Sequence, residues 1–334
     1  MSGAAYQRLL VTGAAGFLGG HLLGRLRHDP DRPRRVVALD LRADGPDSLQ
    51  GAEWTTCDLT DAQQVRQRLA ELAPDGVIHL AGLTGGNDLG AYFRINVLAC
   101  EHLLSAAAEL ARPPRVLIVG SAAQYGVTTG TREVIEETRP LSGSTPYGVS
   151  KILQERWALA RGLACRLPVV CVRPFNIIGP GQSERLVPAA FLRQVSDVAA
   201  GRSEQVLVGN LTTARDFTDV RDVVAAMWAL MRAGEDADGR AFNIASGSPV
   251  KIRDLLDGCI ALSGKDIPVR QDPARLKAMD VPTIVGDATR LRELTGWRPA
   301  ISWRESLADM WEAMDRASGQ RSLGDSAYGP PALQ

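Results

Sequence analysis

An excess of charge of either sign is missing from this sequence, in which 38 Lys and Arg residues balance 38 Asp and Glu residues over 334 positions. Phosphate binding favours a basic excess, so the composition argues against a nucleic-acid partner. No apolar run approaches the roughly 20 residues of a membrane-spanning helix. Residues 1–8 are too short and too polar for a signal peptide. We therefore expect neither a nucleic acid nor a membrane as partner.

Cysteine and histidine are both scarce and scattered. The five cysteines show no metal-ligand spacing, and the four histidines form no cluster. These patterns leave no transition-metal site to predict. Because the cysteines are odd in number and spread along the chain, the simplest interpretation is a reduced, cytoplasmic protein.

Apolar strand-like runs alternate with amphipathic helical stretches in the first half of the chain. Strands are predicted at residues 8–12, 35–40, 76–80, 115–119 and 168–172, and helices at 17–27, 60–72 and 98–110. Near-continuous apolar strands separated by helices predict an α/β protein whose parallel sheet is covered on both faces. After residue 176 the pattern is less regular, with helices near 188–200, 252–262, 289–294 and 303–315 and a strand at 206–208.

The segment GAAGFLG, residues 13–19, lies between the first predicted strand and the first predicted helix. Glycines let the backbone turn sharply against a pyrophosphate, and the helix N-terminus presents free N–H groups to it. No Lys-Ser or Lys-Thr pair follows, which excludes a nucleoside-triphosphate P-loop. We predict a Rossmann doubly wound sheet with Gly13, Gly16, Phe17 and Leu18 at a dinucleotide. The alternative is a tight turn without a ligand.

Two acidic residues, Asp40 at the end of the second predicted strand and Asp58 further along the chain, are candidate cofactor contacts. Asp40 has the spacing expected of the acid that holds an adenosine ribose, and its carboxylate repels a 2′-phosphate, which favours NAD over NADP. Arg42 can pair with such a phosphate, so NADP stays open. Asp58 and Leu59 are predicted beside the adenine. As alternatives, Asp40 is a solvated acid at a strand end, and Asp58 caps the helix that begins near residue 61.

A serine, a tyrosine and a lysine suggest proton-transfer chemistry. Tyr147 and Lys151 are four residues apart in a predicted helix and therefore share a face. A nearby ammonium is expected to lower the phenol pKa, so that the tyrosine exchanges a proton with a carbinol or carbonyl oxygen. Ser121 follows a parallel strand, where its hydroxyl can bind the same oxygen.

These residues resemble the extended short-chain dehydrogenase/reductase family, over residues 9–311. The family's glycine motif matches residues 13–19, its His-Leu-Ala-Ala stretch matches residues 79–82 with Gly82 as the one difference, and its catalytic groups match Ser121, Tyr147 and Lys151. The resemblance implies NAD or NADP as cofactor. It also places the following residues at that cofactor: Leu80, Ala81, Asn96, Tyr147 and Lys151.

The second half resembles the sugar-nucleotide branch of that family. The resemblance implies substrate contacts from Ser121, from Asn176 in the Arg-x-Phe-Asn segment, and from Arg215, which suits a diphosphate as a bidentate ligand. Residues 272–282 resemble the closing substrate segment of GDP-4-keto-6-deoxymannose reductases, with Lys277 where the family usually has arginine. An ion pair of Arg215 with a neighbouring acid such as Asp219 is the alternative.

The reaction type follows from the neighbours of Ser121. Dehydratases carry an acid pair after the catalytic hydroxyl, whereas Ala122 and Ala123 follow here and can transfer no proton. We therefore expect reduction of an NDP-4-keto-6-deoxyhexose. Sugar-nucleotide 4-epimerisation and oxidation of a sugar hydroxyl remain alternatives with the same triad. A non-catalytic dinucleotide sensor is a further alternative, which the presence of both Tyr147 and Lys151 argues against.

The expected organisation is one dinucleotide-binding domain and one smaller C-terminal α/β substrate lobe. We assign residues 1–178 and 212–247 to the first, residues 179–211 and 248–318 to the second, and residues 319–334 to a disordered tail. Members of the resembled family pair through two helices, which predicts a homodimer. The apolar residues expected on that surface are Leu103, Leu104, Leu110, Leu153 and Trp157.

Overall fold

The computed structural model describes residues 6–42, 51–86, 88–126, 133–276 and 283–324. Within these ranges the chain divides into two units. The first contains the described parts of Met1–Ile177, Asp216–Pro249 and Val281–Ala300, and the second those of Ile178–Arg215, Val250–Asp280 and Ile301–Gln334. Every residue predicted at the cofactor lies in the first unit.

Strands and helices are numbered in order along the described chain. The strands are β1 (Arg8–Thr12), β2 (Arg35–Asp40), β3 (Glu53–Thr56), β4 (Gly76–His79), β5 (Arg115–Val119), β6 (Glu133–Ile135), β7 (Val169–Pro174), β8 (Asn176–Ile178), β9 (Val206–Val208), β10 (Ala214–Asp219), β11 (Arg240–Ile244), β12 (Pro249–Lys251), β13 (Val269–Gln271) and β14 (Thr283–Gly286). The helices are α1 (Phe17–His28), α2 (Ala62–Leu72), α3 (Leu89–Tyr92), α4 (Ala99–Ala108), α5 (Pro146–Cys165), α6 (Val187–Ala199), α7 (Val220–Arg232), α8 (Ile252–Ser263), α9 (Thr289–Thr295) and α10 (Trp303–Gly324). Each predicted strand and helix is present, and all but α10 begin and end within two residues of the prediction.

Seven strands of the first unit form one sheet in the order β3-β2-β1-β4-β5-β7-β11, with every neighbouring pair parallel. The chain builds outward from β1 to β3 and then returns to place β4 on the other side of β1. Open α/β sheets bind ligands outside the carboxyl ends of the strands at such a reversal. The predicted Rossmann doubly wound sheet is therefore confirmed, and the segments that follow β1 and β4 meet at the reversal.

Helices cover both faces of this sheet. Leu9 and Val11 of β1 point into a core shared with α1 and α7, whereas Leu10 points into a second core shared with α2, α4 and α5. Because neither face meets water, the strands are continuously apolar rather than alternating. All six residues of β7 are buried for this reason.

Residues 283–300 also belong to the first unit, whereas residues 248–318 as a whole were predicted in the substrate lobe. Strand β14 pairs in parallel with β6, and Leu291 and Trp297 lie in the core beside α7. The apolar spacing in this stretch predicts a helix correctly but does not say which core the helix joins. Helix α10 continues to Gly324, beyond the predicted boundary at 318, and residues 325–334 lie outside the described ranges.

The second unit is smaller and contains α6, α8 and α10. Helix α6 packs on both α8 and α10. Its buried residues Phe191, Leu192 and Val195 recur at helical spacing. Strands β9 and β13 form a short parallel pair in which Val206 lies opposite Val269. No helix in the described ranges has the length and apolarity that crossing a lipid bilayer requires.

Candidate active site

The glycine loop after β1 requires glycine at two positions. Gly13 has a φ of +67°, and a Cβ there would lie 2.6 Å from the backbone nitrogen of Ala81, in the segment after β4. A Cβ on Gly19 would overlap the carbonyl oxygen of Ala14. The loop is therefore packed against the end of β4, and only a residue without a side chain fits at these points.

Helix α1 begins directly after this loop. Gly16 is its N-cap and offers no side-chain acceptor, and the first turn contains no acidic residue. The first N–H groups of the helix, beginning with those of Phe17 and Leu18, therefore remain available as hydrogen-bond donors to a ligand. They lie at the positive end of the helix dipole. A loop whose glycines leave no room for a Cβ, followed by an uncapped helix N-terminus, fits the pyrophosphate of a dinucleotide.

Asp40 lies half-buried at the carboxyl end of β2 and is bound to backbone on both sides. Its Oδ2 accepts a hydrogen bond from the N–H of Ala15 at 3.0 Å, and its Oδ1 accepts one from Leu41 at 2.8 Å. A carboxylate can accept about four hydrogen bonds, so capacity remains for ribose hydroxyls. Asp40 is thus fixed against the glycine loop, whereas the side chain of Arg42 is exposed.

Asp58 and Leu59 differ in environment. Asp58 is exposed, and its Oδ1 accepts hydrogen bonds from the N–H of Thr60 at 2.8 Å and from its hydroxyl at 2.7 Å. Asp61, not Asp58, caps α2 by accepting from the N–H groups of Gln63 and Gln64. The alternative role of Asp58 as a helix cap is therefore wrong, because that position is three residues too early. Leu59 is buried.

Ser121 stands where β5 ends, at the N-cap of a 3-10 turn formed by Ala122–Tyr125. Its Oγ accepts from the N–H of Ala123 at 3.1 Å, and its own N–H donates to Oε1 of Gln124 at 2.8 Å. This reciprocal pair is a capping box. It fixes the serine at the carboxyl edge of the sheet, where the sequence predicts it.

Tyr147 lies in the first turn of α5, which begins with the capping residue Thr145 followed by Pro146. The hydroxyl of Ser121 lies close enough to that of Tyr147 to influence its pKa. Burial raises the pKa of the Tyr147 phenol above its ordinary value of 10.0, and the nearby Ser121 hydroxyl offsets only part of that rise. The structure therefore brings the two predicted groups together.

Lys151 is buried one turn further along α5. Its Nζ donates to the carbonyl oxygen of Val119 and to Oε1 of Gln154, each at 2.8 Å. Burial lowers the pKa of Lys151 to about 8. The prediction that Lys151 lowers the pKa of Tyr147 is wrong for this state, because burial governs the phenol and the ammonium is bound elsewhere.

The segment after β4 borders Lys151. A Cβ on Gly82 would lie 3.3 Å from Nζ of Lys151 and 3.1 Å from Oδ1 of Asn96. Asn96, within a π-helical turn, accepts from the N–H of Leu83 at 2.7 Å and donates to Oγ of Ser150 at 2.9 Å. The asparagine therefore ties this segment to α5. Leu80 and Ala81 of this segment lie against the glycine loop, next to Gly13.

His79 of the same segment is a structural residue. Its Nδ1 is 2.8 Å from Oγ1 of Thr12, which joins β4 to β1. Burial is the main cause that lowers the pKa of His79 to about 3, so the ring is neutral at physiological pH. In the described stretches, no three His, Cys, Asp or Glu side chains come together in a metal-binding arrangement.

The predicted substrate residues are placed less completely. Asn176, exposed after β7, donates from Nδ2 to the carbonyl oxygen of Asp216 at 3.1 Å. Arg215 lies in the second unit and donates to the carbonyl oxygen of Ala214 at 2.8 Å. The carboxylate of Asp219 is held by Arg221 through two hydrogen bonds of 2.8 Å. Lys277 lies outside the described residues.

Three side chains that the sequence analysis did not select also line this region. Gln154 binds Lys151, Gln124 binds the N–H of Ser121, and Glu155 binds Gln124. A signal for two of them is present in the sequence, because residues 154 and 155 lie three and four positions after Lys151 and so share its face of α5. Polar residues on a buried helix face indicate a polar partner.

Comparison with known proteins places this arrangement among sugar-nucleotide enzymes. Residues 9–245 match the model of the NAD dependent epimerase/dehydratase family. A GDP-6-deoxy-D-mannose reductase of Pseudomonas aeruginosa is 34% identical, over 93% of this chain and 99% of that protein.

Two solved structures are similar over nearly their whole length. RMD from Pseudomonas aeruginosa, complexed with NADPH, matches with a TM-score of 0.79 at 30% identity, over 93% of this chain and 99% of that one. MoeE5, in complex with UDP-glucuronic acid and NAD, also matches with a TM-score of 0.79, at 31% identity and the same coverage.

Proposed function

The chain belongs to the NAD-dependent epimerase/dehydratase family, and we propose that it reduces the keto group of an NDP-4-keto-6-deoxyhexose with a nicotinamide dinucleotide. The observation that carries this proposal is the closeness of the Ser121 and Tyr147 hydroxyls at the carboxyl edge of the sheet. The 34% identity to a GDP-sugar reductase supports the choice of reaction. When bound, the dinucleotide supplies the hydride.

Residues of the chain donate the proton and orient the keto group. The hydroxyl of Tyr147 donates a proton to the keto oxygen as that oxygen gains negative charge. The hydroxyl of Ser121 donates a hydrogen bond to the same oxygen. The ammonium of Lys151, buried one turn along α5, would hold the nicotinamide ribose of the cofactor and so orient the nicotinamide beside Tyr147.

The protonation state of Tyr147 favours reduction over oxidation as the first step. Burial raises the pKa of the phenol, so at neutral pH it begins as an acid. A reductase needs a proton donor at the start, whereas an epimerase or dehydrogenase begins by removing a proton from a sugar hydroxyl. Epimerisation remains the second candidate, because the similar MoeE5 structure holds a UDP-sugar together with NAD.

Three further residues are proposed as substrate contacts. Arg215 and Lys277 suit the substrate diphosphate as cations, and the exposed Asn176 amide suits a sugar hydroxyl. We propose the nicotinamide dinucleotide without a 2′-phosphate as the better cofactor, because the carboxylate of Asp40 is fixed at the glycine loop.

A redox balance tests the proposal. Incubation with a GDP- or dTDP-4-keto-6-deoxyhexose and the reduced dinucleotide should consume one cofactor per alcohol formed, followed by absorbance and product analysis. Parallel runs with NADH and NADPH measure the preference proposed for Asp40. Interconversion of two unmodified sugar nucleotides, without net change in cofactor redox state, would replace the reductase by the epimerase.

The buried ammonium predicts the pH dependence of this reaction. Because the pKa of Lys151 is lowered to about 8, its charged form is present below that pH and is lost as the pH rises through it. The phenol pKa is raised, so Tyr147 stays protonated over the same range. We expect kcat/KM for ketone reduction to fall above about pH 8 when measured at saturating cofactor.

A lysine-to-arginine comparison isolates the group responsible. Lys151→Arg carries a guanidinium that stays charged to a pH of about 12, so any activity left in this variant should lack the fall. Lys265→Arg changes an exposed lysine of the second unit, and this variant should show the same fall in kcat/KM as the parent. If kcat/KM of the parent stayed constant up to pH 10, the attribution of the pH dependence to Lys151 would be contradicted.

We propose that the protein forms a homodimer through α5. Val149, Leu153 and Trp157 recur every four residues on this helix and are 40%, 44% and 46% exposed. Leu103 and Leu104 were also predicted on this surface, which is wrong, because both are fully buried in the core between α2, α4 and α5. Leu110 is half-buried.

Light scattering tests the dimer. The parent chain should scatter as a dimer at micromolar concentration, and Leu153→Asp should scatter as a monomer, because an aspartate would be desolvated in the interface. Leu186→Asp changes a leucine of the second unit that is 51% exposed, and it should leave the dimer intact. A monomeric parent would end this proposal.

A further inference from the structure

Gln124 joins the turn that carries Ser121 to the helix that carries Tyr147. Its side chain is fully buried. At one end Oε1 accepts from the N–H of Ser121 at 2.8 Å, and at the other Nε2 donates to Oε2 of Glu155 at 2.9 Å. Glu155 lies on α5, two helical turns after Tyr147. One amide therefore binds both elements of the site.

Glu155 is held on its far side by Arg173 of β7. Oε2 of Glu155 accepts from Nε of the arginine at 2.8 Å, and Oε1 accepts from Nη2 at 2.5 Å. Nη1 of Arg173 also donates to the hydroxyl of Tyr125 at 2.8 Å, and that hydroxyl donates to Asn243 at 2.6 Å. These bonds fix the position of the Glu155 carboxylate independently of Gln124. Glu155 therefore provides Gln124 with an immobile hydrogen-bond acceptor.

Two glycines allow this arrangement. A Cβ on Gly120 would overlap Oε1 of Gln124, so the amide occupies the space that a side chain would take at the end of β5. A Cβ on Gly148 would lie 2.6 Å from the carbonyl oxygen of Ala123, so the first turn of α5 contacts the Ser121 turn through backbone. The Ser121 turn is thus held against α5 by the side chain of Gln124 and by the backbone of Ala123.

We infer that Gln124 and Glu155 are positioning residues, which hold the Ser121 hydroxyl at the Tyr147 hydroxyl and thereby align both for proton transfer. This inference rests on the proposed function. Neither residue touches the reacting atoms, because Gln124 reaches Ser121 through its backbone N–H. Their loss should affect the chemical step through Ser121 and leave the glycine loop unchanged.

A double-mutant cycle tests whether Gln124 acts through Ser121. Gln124→Met keeps the side-chain length and removes both hydrogen bonds, so kcat should fall by about 10- to 100-fold, as expected for a displaced catalytic group. The KM for the dinucleotide should not change. In a Ser121→Ala background the same substitution should cost nothing further. An equal loss of kcat in both backgrounds would overturn the inference.

A reciprocal exchange tests the link between Gln124 and Glu155. Gln124→Glu alone sets two carboxylates against each other and should lower kcat. Combined with Glu155→Gln, the repulsion is removed and one hydrogen bond between an amide and a carboxylate re-forms, while Nε of Arg173 loses its acceptor, so kcat should recover in part. Failure of the double variant to exceed the single one, with both folded by circular dichroism, would overturn the pairing.

Titration of the phenol separates failure of the inference from failure of the proposed function. The Tyr147 phenolate is read as the ultraviolet difference between each variant and its Tyr147→Phe derivative, with no substrate present. Since Ser121 lowers the phenol pKa, Gln124→Met should titrate at higher pH than the parent, as Ser121→Ala should. An unchanged titration overturns the positioning role, whereas a parent inactive on every keto sugar nucleotide overturns only the reductase.

Discussion

Replacing Tyr147 with phenylalanine is expected to lower kcat by about 10²- to 10⁴-fold, the contribution typical of a positioned proton donor. The substitution removes one oxygen and leaves the ring, whose centroid lies 6.0 Å from that of Tyr92. Dinucleotide binding should persist, because the glycine loop and Asp40 lie on other elements. Steady-state kinetics with a 4-keto sugar nucleotide and a fluorescence titration of the reduced dinucleotide measure the two properties.

Tyr92 provides the matched control for this substitution. It is a buried tyrosine beside Tyr147, and its hydroxyl donates to the carbonyl oxygen of Gly86 at 3.0 Å. Tyr92→Phe removes the same atom from a neighbouring ring and should lower kcat far less. If Tyr147→Phe keeps more than a tenth of the parent kcat, the proton comes from another group.

Arg173→Met is expected to lower the free energy of unfolding by about 3–5 kcal/mol, the cost of leaving one partner of a buried ion pair without the other. The side chains of Arg173 and Glu155 are 5% and 1% exposed, so water cannot solvate the carboxylate that remains. Denaturant unfolding followed by circular dichroism measures the loss.

An exposed ion pair supplies the comparison. Arg68 pairs with Glu71 at 2.8 Å on the surface of α2, and Arg68→Met should cost less than about 1 kcal/mol. The double variant Arg173→Met with Glu155→Leu should regain part of the stability, since paired apolar groups are tolerated where a lone charge is not. Equal losses at Arg173 and Arg68 would mean that the buried charge is solvated.

More of the fold than of the site could be predicted from the sequence. Strands β1, β4, β5 and β7 are buried on both faces, so their apolar runs identify them without tertiary information. Helix α4 marks the limit of this approach. Its apolar residues predict a free face at Leu103 and Leu104, but the helix packs on α2 and α5 as well as on the sheet, so no such face remains.

Within the site, spacing predicts which residues meet but not how their atoms are oriented. The interval between Tyr147 and Lys151 correctly predicts a shared face of α5. It carries no information on the carbonyl of Val119 or on Gln154, which bind the ammonium. The direction of the Tyr147 pKa shift depends on burial, which only the folded chain determines.

The order in which the sheet is assembled has a consequence for synthesis on the ribosome. Strand β7 is an inner strand, but its neighbour β11 begins about 65 residues later in the chain. At a translation rate of about 5–20 residues per second, β7 waits roughly 3–13 s for that partner. During this interval a strand that is apolar except for Arg173 presents an unpaired edge, which invites pairing with another nascent chain. Chains arrested before Arg240 should therefore aggregate more readily, and hold chaperones longer, than chains arrested after Ile244.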